Sequence, residues 1–331
     1  MSLSTLPLRW GVVGLGGFVR SQIAPAMRRA GAIITACATR DLEDARRFAA
    51  DFAVPRAHET VEALADDPEV DAVFVATPNG EHRRAVIAAA RAGKHVLCEK
   101  PLALSLEDAA AMQQACEAAG VLLRMGLQFR LEEALLHIRA VIATGEIGNP
   151  LMLDIERNSG LDQPGAWRRE RAKGGSILYD TGVHLLDLVA WLLGDEWRSL
   201  YALGHRGRAD DSEDSLSILG RMAQGCQSVI RISREAPFGN NALTIMGTKG
   251  LIRTGPLRLA AEHVVTVTTA AGGTERRFAP TDLYGREIAA FSAEVRSRSA
   301  VLPTGEDGVR LVGMALAVLR SLDAGEAVAL L

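Results

Sequence analysis

In this chain of 331 residues, Lys100 is a candidate catalytic residue because of its residue type and its position in the sequence. It follows an apolar run at residues 96–98 and precedes Pro101. If that run is a buried strand of an open α/β sheet, the Lys100 ammonium lies at the carboxyl edge, where such sheets bind ligands. The proline restricts Lys100 to extended backbone conformations, which gives its amine a defined direction. The alternative interpretation is a surface lysine that closes a strand.

A second group of ionisable residues lies on a helix that is predicted after Gly175. Asp180, His184 and Asp187 are spaced i, i+4 and i+7, so an α-helix places them on one face. The rest of this helix is apolar, and burying three ionisable groups in it is costly unless they have a purpose. The alternative is a capping Asp180 and a core histidine. A metal site is not expected, because no further ligand occurs at helical spacing.

A glycine-rich turn near the N-terminus predicts a dinucleotide site. Residues 8–13 have the pattern of a strand and residues 21–29 that of a helix, with Gly14-Leu15-Gly16-Gly17 between them. Glycines let the backbone approach a pyrophosphate, and a helix N-terminus offers free N–H groups. The third position of the fingerprint, normally Gly or Ala, is Val19, which weakens the motif taken alone. The candidate cofactor contacts in the turn are Gly14, Gly16, Gly17 and Phe18.

The end of the second strand indicates which dinucleotide is bound. Residues 33–38 are followed by Thr39, Arg40 and Asp41. An arginine here accommodates a 2′-phosphate, whereas an acidic residue accepts from a 2′-hydroxyl, so Thr39 and Arg40 predict NADP, with NAD as the alternative. Asp41 comes one residue late and is interpreted as the N-cap of a helix over residues 42–52. A solvated loop arginine is the other interpretation of Arg40.

Further candidate cofactor contacts follow other predicted strands. The strand over residues 70–76 leads into a polar turn, and a helix over residues 81–92 comes next. The carboxyl ends of parallel strands share one edge of the sheet, so side chains that follow them are expected near the cofactor. For His82, in the first helical turn, a structural or exposed histidine is the alternative. The candidates are Thr77, Pro78, Asn79, His82, Glu99, Lys100 and Gln128.

The composition excludes several classes of protein. Hydrophobic residues make up 48% and charged residues 23% of the chain, which is ordinary for a globular protein. A net charge of −3 gives no electrostatic basis for binding nucleic acid or an anionic membrane, so a small molecule is the expected partner. The four cysteines form no C-x-x-C pair, which favours a reduced, cytoplasmic compartment. No signal segment and no membrane span are predicted.

The order of predicted elements gives the fold class. Strands alternate with helices up to residue 126, which predicts a Rossmann-type, doubly wound parallel sheet over residues 1–126. Strands then follow one another, so residues 127–331 are predicted to form an α+β domain with an open, mainly antiparallel sheet that binds substrate and mediates oligomerisation. The last helices are expected to pack back on the first domain. An uncovered face of an antiparallel sheet with alternating apolar residues tends to pack against another molecule, so a homodimer or homotetramer is predicted.

Over essentially its whole length the chain resembles the Gfo/Idh/MocA family of NAD(P)-dependent oxidoreductases. The resemblance implies the Rossmann domain and the open C-terminal sheet, which often forms the oligomer interface in that family. Within the family, the chain is most similar to the 1,5-anhydro-D-fructose reductase branch, through Trp167-Arg168, Asp180-x-x-x-His184 and Thr304-Gly305-Glu306-Asp307-Gly308. The residues that carry the family resemblance are Gly14-Leu15-Gly16, Ala76-Thr77-Pro78-Asn79 with His82, the stretch 92–101 ending in Glu99-Lys100-Pro101, and the stretch 174–184.

The resemblance implies hydride transfer at one carbon of a sugar, sugar derivative or cyclic polyol. Such a reaction needs a cation beside the reacting oxygen and a group that exchanges a proton with it. Lys100 is assigned to polarisation, His184 to proton exchange and Asp180 to orienting them, with the division between Lys100 and His184 left open. Glu99 and Asn79 are placed at the nicotinamide ribose. The implied substrate contacts are Lys100, Trp167, Arg168, Asp180 and His184.

Three alternatives stay open at this point. A structural tryptophan beside a surface arginine explains Trp167 and Arg168 equally well. A regulator that has kept the NAD(P) fold and lost catalysis is a second function, although such a protein is expected to lose the lysine or the histidine. A dihydrodiol or biliverdin-type reductase is a third, and it is disfavoured because aromatic residues make up only 5% of the chain.

Overall fold

The computed structural model describes residues 7–158, 170–206, 212–239, 241–257, 261–297 and 301–330. Its chain divides into two compact units. The first comprises Met1–Gln128 with Asp282–Val312, and the second comprises Phe129–Thr281 with Gly313–Leu331.

Within these ranges the helices and strands have the following bounds. The α-helices are α1 Ala24–Arg29, α2 Leu42–Phe52, α3 Val61–Ala65, α4 His82–Arg91, α5 Leu106–Ala118, α6 Glu133–Ala143, α7 Val183–Leu193, α8 Leu283–Ser297 and α9 Gly305–Ala324. The strands are β1 Arg9–Val13, β2 Ile33–Ala38, β3 Arg56–His58, β4 Ala72–Val75, β5 His95–Glu99, β6 Leu123–Gly126, β7 Pro150–Asn158, β8 Trp197–His205, β9 Ser215–Met222, β10 Gln227–Ser233, β11 Leu243–Gly247, β12 Gly250–Thr254, β13 His263–Thr269, β14 Gly272–Phe278 and β15 Val328–Ala329.

The first unit is built on a parallel sheet. In the described part of the chain it has six strands in the order β3-β2-β1-β4-β5-β6. The strand order reverses between β1 and β4, and ligands of open α/β sheets bind at such a reversal, outside the carboxyl ends of the strands. All four residues of β4 are buried, because helices cover both faces of a parallel sheet. The predicted doubly wound sheet is confirmed.

Local sequence signals determine where several helices of this unit begin. The Asp41 carboxylate accepts from the backbone N–H groups of Glu43 and Asp44, which confirms the predicted N-cap of α2. Ser105 caps α5 in the same way through the N–H of Asp108. Helix α8 comes late in the chain and belongs to this unit, where it packs on α1. The rings of Trp10 and Phe291 meet in its core, with centroids 5.2 Å apart.

The second unit contains a mixed sheet. Among the residues described, nine strands follow the order β14-β13-β12-β11-β7-β10-β9-β8-β15. Strands β7 and β10 pair in parallel and the other neighbours pair antiparallel, so the prediction of a mainly antiparallel sheet is confirmed. Strand β14 was not predicted. It opens with Gly272-Gly273 and has only its last residue buried, so it lacks the apolar alternation of a strand.

One face of the second sheet is covered and the other carries exposed apolar side chains. Helix α7 packs against β7 and β10, over buried residues such as Ile230 and Ile232. On the opposite face Leu219 is 51% exposed, and the strand register places it in line with neighbouring side chains of the same face. This open face also contains Met152, Leu203 and Met246.

The helices that the structure describes do not include a candidate membrane span. In the described ranges, none combines the length and the hydropathy that crossing a bilayer requires.

Candidate active site

The glycine turn after β1 lies where the sheet order reverses. Gly14 has a φ of +88°, and a Cβ there would lie 2.4 Å from the backbone oxygen of Ala76, which follows β4. The close approach of these two backbone segments therefore requires glycine. Gly16 and Gly17 are exposed, and a Cβ on either would meet no atom within 4 Å. The fold thus requires Gly14, whereas Gly16 and Gly17 leave open space beside the turn.

The helix after this turn begins irregularly. Residues Val19–Ile23 form a π-helical segment that runs directly into α1. Val19, which departs from the dinucleotide fingerprint, lies at the start of this segment and is 1% exposed. A π-helical turn is wider than an α-helical one, and it accommodates a valine where close packing otherwise favours Gly or Ala. The Phe18 ring is half-buried and meets Tyr284 edge to face, with centroids 5.5 Å apart.

The end of β2 presents a cation to solvent. Arg40 is exposed and makes no hydrogen bond or ion pair with any residue that the structure describes. Thr39, beside it, is half-buried. The neighbouring Asp41 carboxylate is occupied by its capping hydrogen bonds of 2.9 and 3.2 Å. A guanidinium is therefore available at this strand end, while the adjacent carboxylate is held in place.

His82 connects two turns that follow neighbouring strands. Its ring is fully buried, with Nδ1 2.9 Å from the Pro101 oxygen and Nε2 3.0 Å from the Thr77 oxygen. Burial lowers its pKa, although the three carbonyl contacts of the ring act in the opposite direction. The ring has no exposed surface that a cofactor can touch, so the structural alternative describes its position. It holds the backbone around Lys100 against the turn after β4.

The remaining predicted contacts of this unit lie at the same carboxyl edge. Asn79 begins a 3₁₀ turn after β4 and is 8% exposed, and Gln128 begins another after β6 and is 5% exposed. Pro78 is exposed. The Thr77 hydroxyl oxygen is buried and has no hydrogen-bond partner in the described ranges. An unsatisfied hydroxyl and an open glycine turn at one edge fit a bound dinucleotide, whose phosphates and hydroxyls supply such partners.

Lys100 follows β5 directly and is half-buried, and the Lys100–Pro101 peptide bond is cis. Before it, the Glu99 carboxylate lies 3.4 Å from the position that a Cβ of Gly126 would take on the adjacent strand. Burial raises the pKa of Glu99, and the charge of Lys100 works against that rise. The lysine and the glutamate are therefore neighbours at the predicted ligand edge, and the pKa of Glu99, raised to about 7, lets its carboxyl group take up a proton near neutral pH.

A buried carboxyl group that sequence reasoning missed lies near Glu99. Glu287 of α8 is fully buried, and neither of its carboxyl oxygens has a hydrogen-bond partner among the described residues. Burial raises its pKa well above the usual range, and the charge of Glu99 adds to the rise, which favours a protonated Glu287. The signal was present in the sequence, because Glu287 is four residues from both Leu283 and Phe291, on the apolar stripe of its helix.

In the second unit, Asp180 and His184 lie on either side of a change in helix type. Asp180 belongs to a π-helical segment, Leu178–Gly182, and His184 is the second residue of α7. The prediction of one regular α-helix is therefore wrong at Asp180, since a π-helical turn adds a residue and alters the angle between the two side chains. His184 is 8% exposed, and its ring centroid is 4.9 Å from that of Phe129. The Asp180 side chain is 28% exposed.

Asp187 differs from Asp180 and His184, because an arginine holds its carboxylate in place. The Arg130 guanidinium donates to both of its carboxylate oxygens, at 2.9 and 2.5 Å, and both side chains are largely buried. Such a bidentate pair locks the carboxylate in place. The predicted face of three ionisable groups thus contains one structural residue, Asp187, and two that remain candidates for chemistry.

Two of the predicted substrate contacts, Trp167 and Arg168, lie outside the described residues. Within the described ranges, the structure shows no group of three or more His, Cys, Asp and Glu side chains that is arranged to hold a metal ion.

Comparison with known proteins matches both halves of the chain to models of protein families. Residues 8–127 match the model of an oxidoreductase family with an NAD-binding Rossmann fold, and residues 135–253 match the GFO/IDH/MocA C-terminal domain. The chain is 32% identical to 1,5-anhydro-D-fructose reductase of Ensifer adhaerens, covering 96% of this chain and 97% of that protein. It is 29% identical to myo-inositol 2-dehydrogenase of Thermotoga maritima, covering 96% of each.

A solved structure shows the same fold. The aldose-aldose oxidoreductase from Caulobacter crescentus, complexed with glycerol, superposes with a TM-score of 0.89 at 24% identity. The match covers 98% of this chain and 100% of that one.

Proposed function

The chain belongs to the Gfo/Idh/MocA oxidoreductase family, and on that premise we propose that it transfers a hydride between NADP and a carbonyl or hydroxyl carbon of a sugar, sugar derivative or cyclic polyol. The observation that supports this most directly is the position of Lys100, immediately after β5 at the carboxyl edge of the parallel sheet. The names of the two relatives above support the substrate class. We further propose that residues 1–126 bind the dinucleotide and residues 127–331 the substrate.

The proposed roles follow from the chemistry of each group. When bound, the nicotinamide supplies the hydride chemistry. Lys100 polarises the substrate oxygen and stabilises negative charge that develops on it. His184 exchanges a proton with that oxygen, and Asp180 orients the imidazole. Gly14, Gly16 and Gly17 let the backbone approach the phosphates, and Glu99 and Asn79 hold the nicotinamide ribose.

The proposal is tested by titrating the purified protein with NADPH and NADH and then following cofactor oxidation or reduction with a panel of keto-sugars, sugars and polyols. Turnover of a member of that panel is the expected result. Tight binding of a dinucleotide without turnover of any of them would replace this proposal with a regulatory NAD(P)-binding protein. Aromatic dihydrodiols are assayed beside that panel, and turnover confined to them would favour a dihydrodiol-type reductase.

Replacing Arg40 by alanine is expected to weaken NADPH binding about 10- to 100-fold, because a phosphate loses a charge-assisted hydrogen bond worth about 1.5–3 kcal/mol. NADH binding should change less than about threefold, since NADH has no 2′-phosphate. The measurement is a fluorescence titration with both cofactors. Arg46→Ala is the matched control, because Arg46 is an exposed arginine of α2 that pairs with Glu43. Equal losses for both cofactors would show that Arg40 does not read the 2′-phosphate.

We also propose that the open face of the second sheet binds a second copy of this chain. Replacing Leu219 by glutamate puts a charge into that apolar face, so we expect the assembly to dissociate into smaller species. Size-exclusion chromatography with light scattering gives the mass. Leu106→Glu is the control, since Leu106 is also an exposed leucine but lies on α5. An unchanged mass for Leu219→Glu would exclude this face as the interface.

The proposed compartment is a reduced, cytoplasmic one. Cys37, Cys98, Cys116 and Cys226 are all buried free thiols, and burial raises their pKa values. Free thiols of this kind are typical of reducing compartments.

A further inference from the structure

Glu287 is a buried carboxyl group that has no role in the function proposed above. It lies on α8 and is fully buried, and neither of its carboxyl oxygens has a hydrogen-bond partner in the described part of the chain. Burial raises the pKa of Glu287, and the charge of Glu99 raises it further, so the group holds a proton at neutral pH. A protonated carboxyl group has one O–H to donate, and burying that donor without an acceptor is costly.

The contacts of α8 place Glu287 on the face of the sheet toward which the Glu99 side chain points. Glu99 pairs with Gly126 in the strand register, and its carboxyl group lies 3.4 Å from the position that a Cβ of Gly126 would take. Arg124 precedes Gly126 by two residues, so its side chain lies on the same face of β6. The Arg124 Nε donates to Oε2 of Glu294 at 2.6 Å. Helix α8 therefore covers the face that carries the Glu99 carboxyl group.

A second contact fixes the position of Glu287 along this face. The Tyr284 ring meets the ring of Phe18, which follows the glycine turn at the carboxyl edge of the sheet. Glu287 comes three residues after Tyr284 and seven before Glu294, so an α-helix places all three side chains on one face. Glu287 therefore lies between the carboxyl edge of the sheet and the ion pair that Glu294 makes.

The other charged side chains around α8 either form ion pairs or lie at the surface. They are Arg9 with Asp71 on β1, Arg20 with Asp44 on the π-helical segment, Arg29 of α1 with Asp282, Arg124 of β6 with Glu294, and the exposed Arg28 and Arg286. Lys100 is the cation beside Glu99, and its charge favours the ionised form of that carboxyl group. Among these groups, Glu99 is the acceptor that suits the Glu287 proton.

We propose that Glu287 is a positioning residue for the cofactor site, an uncharged acid that donates toward the Glu99 carboxylate and keeps it ionised, ready to accept from the nicotinamide ribose. The inference rests on the proposed function, in which Glu99 holds that ribose. Neither oxygen of Glu287 bonds Glu99 directly, so one bridging water carries the donation. A donor favours the ionised form of the carboxylate that it contacts, so Glu287 lowers the pH at which Glu99 becomes an acceptor.

NADPH titrations between about pH 6 and about pH 9 test this role. Glu287→Met removes the donor, so the pKa of Glu99 should rise by about one unit from its value of about 7. Binding should then weaken about fivefold near pH 7 and less than about twofold near pH 9. Glu287→Gln should stay within about twofold of the wild type throughout, because its amide also donates.

The matched control is Glu107→Met, at an exposed glutamate of α5, which should leave the pH profile of binding unchanged. Comparing each variant with the wild type at the same pH cancels the titration of the cofactor itself. Stronger binding of both Glu287 variants below about pH 7 would show that Glu287 is charged and repels Glu99. That result, or identical profiles for Glu287→Met and the wild type, would overturn the inference.

Thermal unfolding against pH gives a readout that needs no cofactor. In the unfolded chain Glu287 ionises at its ordinary pKa, whereas the folded protein keeps it protonated, so wild-type stability is lost as the pH rises above that value. Glu287→Gln avoids this loss, and its Tm relative to the wild type should rise by about 2 °C per pH unit between about pH 5 and about pH 8. Glu107→Gln should show no such trend.

The two readouts separate this inference from the proposed function. A Tm difference that does not change with pH would show that Glu287 is ionised in the folded protein, and it would overturn the inference. The expected Tm trend in a wild type that binds no dinucleotide at any pH would overturn the proposed function and the positioning role with it, while leaving the buried acid established.

Discussion

Replacing Lys100 by methionine should lower kcat by about 1000-fold or more, while dinucleotide binding weakens less than about tenfold. Methionine keeps most of the side-chain volume and removes the ammonium, so the substrate oxygen loses the cation that stabilises its developing charge. Single-turnover and steady-state rates on the substrate found by screening, together with NADPH titration, measure the two effects separately.

The control for this substitution is Lys249→Met, at an exposed lysine of the turn between β11 and β12. It should leave both turnover and binding unchanged. His184→Gln, made in parallel, addresses the division of roles that the sequence left open. If turnover of Lys100→Met is within about tenfold of the wild type, the polarising group is not Lys100 and the proposed mechanism is wrong at its first step.

Replacing Gly14 by alanine should have the largest effect on stability. The backbone at Gly14 has a φ of +88°, and an added Cβ would lie 2.4 Å from a backbone oxygen that follows β4. The left-handed backbone conformation and the clash both disfavour alanine at this position. The free energy of unfolding should therefore fall by about 3–5 kcal/mol. Differential scanning calorimetry should therefore show a Tm lower by about 10 °C or more.

Gly17→Ala separates this structural demand from cofactor binding. A Cβ at Gly17 would meet no atom within 4 Å, so the unfolding temperature should stay within about 2 °C of the wild type. NADPH binding should nevertheless weaken, because the methyl group occupies space that the pyrophosphate approaches. If Gly14→Ala and Gly17→Ala have equal stability, the close approach of the two strand ends does not require glycine.

Short-range sequence patterns predicted most of the helices and strands of the first unit. Asp41 was recognised as an N-cap because a side-chain oxygen before an acidic first turn is a short-range pattern. The alternation of strands and helices, which is also visible in short stretches of sequence, predicted the parallel sheet. Strand β3 was missed, since three residues without an apolar run have no periodicity to detect.

The parts of the site that could not be predicted depend on long-range contacts. Asp187 looked equivalent to Asp180 until Arg130, 57 positions away, proved to hold it. The spacing of Asp180 and His184 was interpreted for an α-helix, and a π-helical segment has no reliable sequence signature.

The hydrogen bonds of His82 have a consequence for loop grafting. Within the described part of the chain, its two ring nitrogens make their hydrogen-bond contacts with main-chain oxygens, those of Thr77, Pro101 and Leu102. Every amino acid has such an oxygen, so the identities of these three residues are exchangeable in this respect as long as the chain follows the same path. The imidazole is not exchangeable, because no other side chain is a compact, uncharged ring with a nitrogen that can donate and a second nitrogen that can accept. A designer who transplants the turn after β4 into another protein should therefore include His82. The side chains of the residues whose main-chain oxygens it contacts need no change.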